Sequence, residues 1–501
     1  MGYYFISIGG SGTRVLESLT HLAVAGMLPN KEKDGQLYTM AIDPDTGNGN
    51  LTRTNTLLTH VNAFKNVKVG ENTPLLKTPL TLPNPFTWSP TQIGINLDRV
   101  IFYHNYKDKP IGKLYKTLYT KKERETILDE GFRGRPSIGA AVMGMKATTD
   151  VVQNNAWANL INSVQNDVKT HGFAYIFLSG SVFGGTGAAG LPTIARILRD
   201  TFKSYCDAGK VKIGGALLLP YFEFKPTPEE REKCGLFASS ENFLTNSKAA
   251  LRYYADTGGS GYDSLYFVGD DTMTPTNNFS VGAGSQRNDV HVVDFFAAMA
   301  AVHFYRGIDG KHCYFISRNQ GDRFGWQDLP DITMSDETKV SARERFGQFV
   351  RFIFAYLYIV KPVIRDLFAG GNSHAHPWFK DYWKDKIDIN SAEVRNFEQY
   401  AEQFVLWLNQ VENSSGRKVE LIDPKSFKCD NDAISINPDF FPTLDYATSK
   451  ITLNDVAAKL SRGEGGGFPW PWPKPKKTSG SEEGFGLFLR RLYDSCKIEN
   501  H

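Results

Sequence analysis

Two runs of small residues carry the most chemistry in this sequence. Gly9-Gly10-Ser11-Gly12-Thr13 follows a short apolar and aromatic stretch, Tyr3 to Ile8. Gly184-Gly185-Thr186-Gly187-Ala188-Ala189-Gly190 comes after a second one, Phe173 to Leu178. Beyond each run, apolar residues recur at helical spacing: Val15, Leu16, Leu19, Leu22 and Ala23 in the first case, Leu191, Ile194, Leu198 and Phe202 in the second. Each therefore reads as strand, turn, helix. Backbone N–H groups lie open in such a turn, and a helix N-terminus favours negative charge, so either could hold a phosphate. The Thr186 hydroxyl adds a donor. Neither run is a P-loop. There is no GxxxxGK[ST], no lysine lies in either run, and the first departs from GxGxxG spacing. The expectation is a polyanion gripped by backbone at two turns of one sheet, with no cationic side chain supplied by those turns.

Other residues could complete such a site. Leu37 to Ile42 reads as a strand ending on Asp43-Pro44-Asp45. An acid there is placed for a ribose or a metal, although Asp-Pro-Asp is also a routine turn. Gly131 to Gly144 reads as a further glycine-rich loop carrying Arg133 and Arg135, which could stabilise phosphate charge or simply face solvent.

The elements that must position these residues alternate. A helix from Val152 to Val168 precedes the second glycine run. Ile213 to Tyr221 reads as a strand, Glu241 to Tyr254 as a helix, Ser264 to Gly269 as a strand and Asn288 to Tyr305 as a long apolar helix. This alternation predicts an α/β fold with a doubly wound sheet. Thr46 to Arg99 reads as a long decorated connection. Glu337 to Phe368 and Glu393 to Gln410 read as helices, Arg462 to Ser481 as a Gly, Pro and Lys linker, and Phe485 to Tyr493 as a short amphipathic end. Phe346 to Val360 is the most apolar stretch. Arg351 interrupts it, which points to a buried helix, not a bilayer span.

Composition narrows the function classes. The 501 residues are 41% hydrophobic and 22% charged, which is globular. Fifty-seven basic against 54 acidic residues leave +3, so no nucleic-acid partner is expected. Five scattered cysteines form no disulfide framework, and no signal peptide is visible, so a reduced, cytoplasmic setting is expected. His291 and His303 read as core or interface residues. His374-Ala375-His376 reads as loop, and no metal site is expected there.

The glycine runs resemble the tubulin/FtsZ superfamily of nucleotide-dependent filament proteins, in particular its divergent prokaryotic members. Its GGGTG[ST]G signature is matched by Phe183-Gly184-Gly185-Thr186-Gly187-Ala188-Ala189, with Phe183, Ala188 and Ala189 as departures. IGGSGTR is similar to the first nucleotide loop, Ile42-Asp43-Pro44-Asp45 to the second-strand loop, and GFRGRPSIG to the terminal-phosphate sensor. Glu241 and Asn246 resemble the pair that contacts sugar and base. Gln286, Arg287 and Asn288 resemble the base-reading position, although Asn288 would equally cap the helix behind it. The order of these features matches over about the first 330 residues.

The resemblance implies a Rossmann-like GTPase domain, a central long helix and a second α+β domain with helical additions. It implies GTP as ligand, Mg2+ as companion, self-assembly into filaments, and hydrolysis at a site shared by two subunits. Asp328, with Asp331 second, would position the attacking water from the neighbouring copy. Expected domain bounds are 1–285, 286–306, 307–460 and 461–501. The rival readings are a nucleotide switch that does not polymerise, an NAD dehydrogenase, and a membrane-remodelling protein acting through its aromatic tail. Trp470 and Trp472 of that tail could dock a partner or a membrane surface, or pack on the body.

Overall fold

A computed structural model describes residues 2–29, 36–70, 73–207, 209–224, 239–259, 261–276, 282–307, 312–316, 323–325, 328–329, 341–371, 376–414, 418–421, 427–430, 433–436, 459–460 and 484–497. Its centre is an eight-stranded sheet in which every pairing is parallel. We number the strands β1 (Gly2–Ile8), β2 (Gln36–Ile42), β3 (Leu80–Thr81), β4 (Thr87–Trp88), β5 (Ala174–Ser181), β6 (Val211–Leu218), β7 (Ser264–Val268) and β8 (His312–Ile316). Their spatial order is β8-β7-β6-β5-β1-β2-β3, with β4 also on β2. The chain winds one way from β1 to β2 and the other way from β5 to β6. The switch point therefore lies between β1 and β5, where an open α/β sheet forms a crevice beyond its carboxyl ends. This is the Rossmann-like arrangement that the alternation predicts.

The central strands are mainly apolar and almost wholly buried because both faces are covered. Tyr3 and Phe5 of β1 enter one core, and Tyr4, Ile6 and Ile8 enter the other. Helices α6 (Pro136–Gln153), α7 (Asn155–His171) and α8 (Gly185–Lys203) cover the second face. On the first face lie α1 (Gly9–Val24), α2 (Gly49–Ala63) and α10 (Val292–Tyr305). The carboxyl-terminal helices α11 (Ala342–Phe368), α13 (Ala392–Asn413) and α14 (Gly484–Ser495) share that same core. Between β4 and α6 run three short helices, α3 (Leu97–Val100), α4 (Pro110–Leu118) and α5 (Lys121–Glu125). The remaining helices are α9 (Phe243–Asp256) and α12 (Pro377–Tyr382).

Several expectations change. Thr46 to Arg99 is not only connection, since α2 lies within it and buries Leu51, Leu57, Leu58 and Val61. The loop expected from Gly131 to Gly144 ends at Arg135, where Pro136 at the first helical position starts α6. The helix expected from Val152 breaks at Asn154, which caps α7 through its side chain to the Ala156 N–H. The long apolar helix begins at Val292, not Asn288. A capping box of His291 and Asp294 sets that start. His303 pairs with the Tyr266 hydroxyl at 2.9 Å.

By length and composition alone α11 could cross a membrane, yet 71% of its most apolar window is buried in the protein. It contains one π-helical stretch, Tyr356–Val360. The amphipathic end packs home: Phe485 and Phe488 of α14 meet Trp383 at ring-centroid distances of 6.0 and 5.1 Å. Trp470, Trp472, His374 and Asp331 lie outside the described residues.

Candidate functional site

A cleft of about 1040 Å³, open mouth included, lies at the switch point. Gly9, Gly10 and Ser11 of α1 form one wall, and Gly184, Gly185, Thr186 and Gly187 at the start of α8 form the facing one. Both glycine runs are thus first helical turns set on strand ends. Gly9 adopts φ +72° there, the left-handed region that glycine allows. Gly187 lies so near β5 that a Cβ would come within 2.4 Å of the Ser181 carbonyl oxygen. Gly187→Ala should lift α8 from the strand end, costing about 1–3 kcal/mol. Gly144→Ala on α6 meets nothing within 4 Å and should be neutral or slightly stabilising. Thermal midpoints of the two variants check the contrast.

The departures from the glycine signature have packing reasons. Phe183 is buried against Phe243, with centroids 4.5 Å apart, and against Phe222 at 5.4 Å. Ala189 is buried opposite Gly139, where a second Cβ would come within 2.6 Å of its own. The bulk gained on α8 is matched by glycine on α6.

A cation reaches the cleft from just beyond the first run. Arg14, one turn into α1, lines the cleft and is buried. Its Nε donates to Asp294 Oδ2 at 2.9 Å, and its Nη2 donates to the Tyr221 hydroxyl at 2.6 Å. Tyr221 in turn donates to Asp294 Oδ1 at 2.6 Å. Burial alone would weaken the guanidinium's hold on its proton, but Asp294 and Tyr221 outweigh it and keep the charge on. The runs themselves hold no cation, but the residue after the first one, Arg14, lines the same cleft with its charge matched by Asp294. A second arginine, Arg133 at φ +51°, also lines the cleft. Its Nη2 donates to Glu130, while its Nε and Nη1 are buried without a hydrogen-bond partner among the described residues. Buried donors of this kind are costly until something accepts from them.

The third wall comes from the end of β2. Asp43 and Asp45 both line it. Burial pushes the Asp43 carboxyl up to about 8, with the Asp45 charge adding to the rise and the Asp45 N–H opposing it. Asp45 is also raised, first by burial, although it accepts N–H bonds from Ala283 and Gly47. The α2 cap follows. Asn48 donates to Gln286 Oε1 at 2.8 Å, and Asn50 Oδ1 accepts the Asn288 N–H at 2.9 Å. The Asn50 amide nitrogen is buried without a partner among the described residues, facing Gly10, whose built Cβ would lie 3.3 Å from it. Arg53 ties this corner down through Glu17 and the Asn288 carbonyl.

Of the residues singled out in the sequence, Gly9, Gly10, Ser11, Asp43, Asp45, Arg133, Gly184, Gly185, Thr186, Gly187, Gln286 and Asn288 lie on the cleft wall. Others stand behind it. Thr13 bonds back to the Gly9 carbonyl, and Gly12 packs on the Ser179 carbonyl. Ala188 sits half-buried on α8, and Asn246 donates to the Phe183 carbonyl. Glu241 occupies an exposed 3-10 turn, and Arg135 turns toward Glu123 at 3.9 Å. Asp328 is exposed, and its carboxylate accepts the Gly325 N–H. Arg14, Asn48, Asn50, Glu130 and Phe222 line the cleft without having been singled out.

No protein-family model matches this sequence, and no curated protein does. The chain is similar to CetZ. The CetZ structure from Methanosaeta thermophila strain DSM 6194 shares 14% identity at a TM-score of 0.27, covering 62% of this chain and 55% of that one. CetZ2 from Haloferax volcanii, a GTPγS-bound protofilament, shares 15% at 0.28, covering 62% and 60%. The match therefore spans little more than half of either structure.

The cleft suits a phosphorylated ligand. Two helix N-termini meet there, and Arg14 and Arg133 line it, the latter with two buried nitrogens unpartnered among the described residues. A protein-held cation fits less well. Among the described residues no three His, Cys, Asp or Glu side chains converge to ligate one.

Proposed function

We propose that this chain is a divergent tubulin/FtsZ-like protein that binds GTP in the cleft and assembles into filaments. Hydrolysis would occur at the contact between successive copies. The observation that carries the reading is the convergence of two glycine-led helix N-termini with Arg14 and Arg133 at one switch point. The phosphates would occupy that end. The base would meet the amide-rich corner of Asn48, Asn50, Gln286 and Asn288. Residues 1–285 would form the nucleotide domain, 286–306 the central helix, 307–460 the second domain and 461–501 the tail. Any Mg2+ would be held chiefly by the phosphates.

Asp328 supports the shared-site reading by its position. It is exposed and off the cleft wall of its own chain, so it would act on nucleotide only from a neighbour. There its carboxylate would orient the attacking water while Arg14 and Arg133 stabilise the departing phosphate charge. Purified protein should retain a guanine nucleotide, identified by mass and chromatography, and should pellet with GTP. Phosphate release per chain should rise with protein concentration, and Asp328→Ala should bind GTP normally but release phosphate at least about tenfold more slowly. A rate per chain that stays flat with concentration, or an Asp328→Ala protein with full turnover, contradicts the shared site. Absence of any bound or exchangeable guanine nucleotide contradicts the whole reading.

A further inference from the structure

The segment between β4 and α6 carries a surface that the nucleotide reading does not use. Helix α4 turns Gly112 and Tyr115 inward, and Tyr115 is anchored by its hydroxyl to Asp98 at 2.8 Å. Asp98 also pairs with Arg124 at 3.1 Å, so the underside of the helix is fixed. Ile111, Leu114 and Leu118 then stay outside, exposed at 59, 53 and 64%. Their spacing of three and four residues places them on one side of the helix. Lys109, Lys113 and Lys116 repeat at four and three residues and fall on another side.

Charge is concentrated around this stripe. Residues 98–125 hold eight Lys and Arg against four acids, an excess of four, whereas the whole chain carries only +3. Lys107, Lys109, Lys113, Lys116 and Lys122 are exposed and have no acidic partner within salt-bridge distance among the described residues. Apolar side chains more than half exposed project from the surface and do not floor a groove. Ile and Leu projecting from one side of the helix, with lysines on nearly the opposite side whose long chains can reach back to headgroups, match an interface that is soft, apolar just below its surface and negatively charged. We infer that α4 docks this protein on an anionic lipid bilayer, with Ile111, Leu114 and Leu118 entering the acyl boundary and the lysines meeting the headgroups. This surface is separate from the nucleotide cleft and does not depend on how the cleft is used.

Flotation of the full chain with vesicles tests it. The protein should float with phosphatidylcholine vesicles containing about 30% phosphatidylserine, and much less with phosphatidylcholine alone. Raising salt to about 0.5 M should release most of it by screening. The triple change Ile111→Ser, Leu114→Ser, Leu118→Ser, and separately Lys113→Glu with Lys116→Glu, should each cut the floated fraction by about tenfold. Both variants alter exposed side chains, so thermal midpoint and nucleotide retention should match the parent. No flotation on the anionic vesicles overturns the inference, as does flotation unchanged by both variants. Binding to an immobilised acidic polypeptide, lost in the same variants while vesicles are ignored, would overturn it in favour of an acidic protein partner.

Discussion

Replacing Arg14 with alanine should both destabilise the protein and empty its cleft. The guanidinium is buried and shares two hydrogen bonds with Asp294 and Tyr221, which also bond each other. Removing it leaves the buried Asp294 carboxylate with the Tyr221 hydroxyl and the His291 N–H, but no opposite charge. Breaking a buried pair from one side costs about 3–5 kcal/mol, which a urea titration would read as a lower midpoint. On the proposed reading the same change would also remove a charge-assisted donor to phosphate, a further loss of about ten- to a hundredfold in triphosphate affinity. The two effects can be separated. Arg14→Met combined with Asp294→Leu leaves no unpaired charge, so part of the stability should return, less the capping bond that Asp294 gives α10, while triphosphate affinity stays low. If the double variant binds nucleotide like the parent, Arg14 serves the fold alone. An unchanged urea midpoint in Arg14→Ala would show that the buried network contributes little.

Arg14 also shows where sequence reading ran out. A charged residue one turn into a helix reads as solvated, and its partner Asp294 is 280 residues away. Local pattern carries no trace of such a pair. The strands beneath it were legible because burial on both faces forces unbroken apolar runs such as Tyr3 to Ile8. Helix α2 was not, since its buried leucines and Val61 are diluted by Thr and Asn, and its first turn follows an Asp-Pro-Asp run that looks like loop. The start of α10 was misplaced for a different reason. Asn288 is the commoner cap, yet its carbonyl, which a cap gives to the first helical turn, accepts from Arg53, and histidine takes the capping position three residues later. The resemblance carried by the order of the glycine runs, Asp43, Asp45, Arg133 and Gln286 along the chain was enough to bring them to one cleft. Asn48 and Asn50 needed the fold, because only the cap of α2 turns their amides toward Gly10.

The pH profile of nucleotide binding should report on Asp43. In the folded chain its carboxyl is pushed up to about 8 by burial, against 3.8 in the unfolded, solvent-exposed chain. Below about pH 4 both folded and unfolded states hold the proton. Between there and about 8 the unfolded state releases it first, so the unfolded state binds fewer protons and stability falls as pH rises. That fall is at most about 1.4 kcal/mol per pH unit from this one group. Asp43→Asn should therefore flatten the decline in urea midpoint from pH 5 to 8 and leave the variant the more stable near neutrality. Binding follows the same proton. At pH 7 the wall presents a neutral acid that does not repel phosphate and can donate to it. Above about 8 the bare carboxylate opposes the ligand, and the triphosphate Kd should rise by up to about tenfold per unit. In Asp43→Asn the Kd should stay level over that range. Parallel profiles for parent and variant would place the titrating group elsewhere. A variant that loses binding at every pH would instead show that the acid's own hydrogen-bond geometry, and not its proton, holds the ligand.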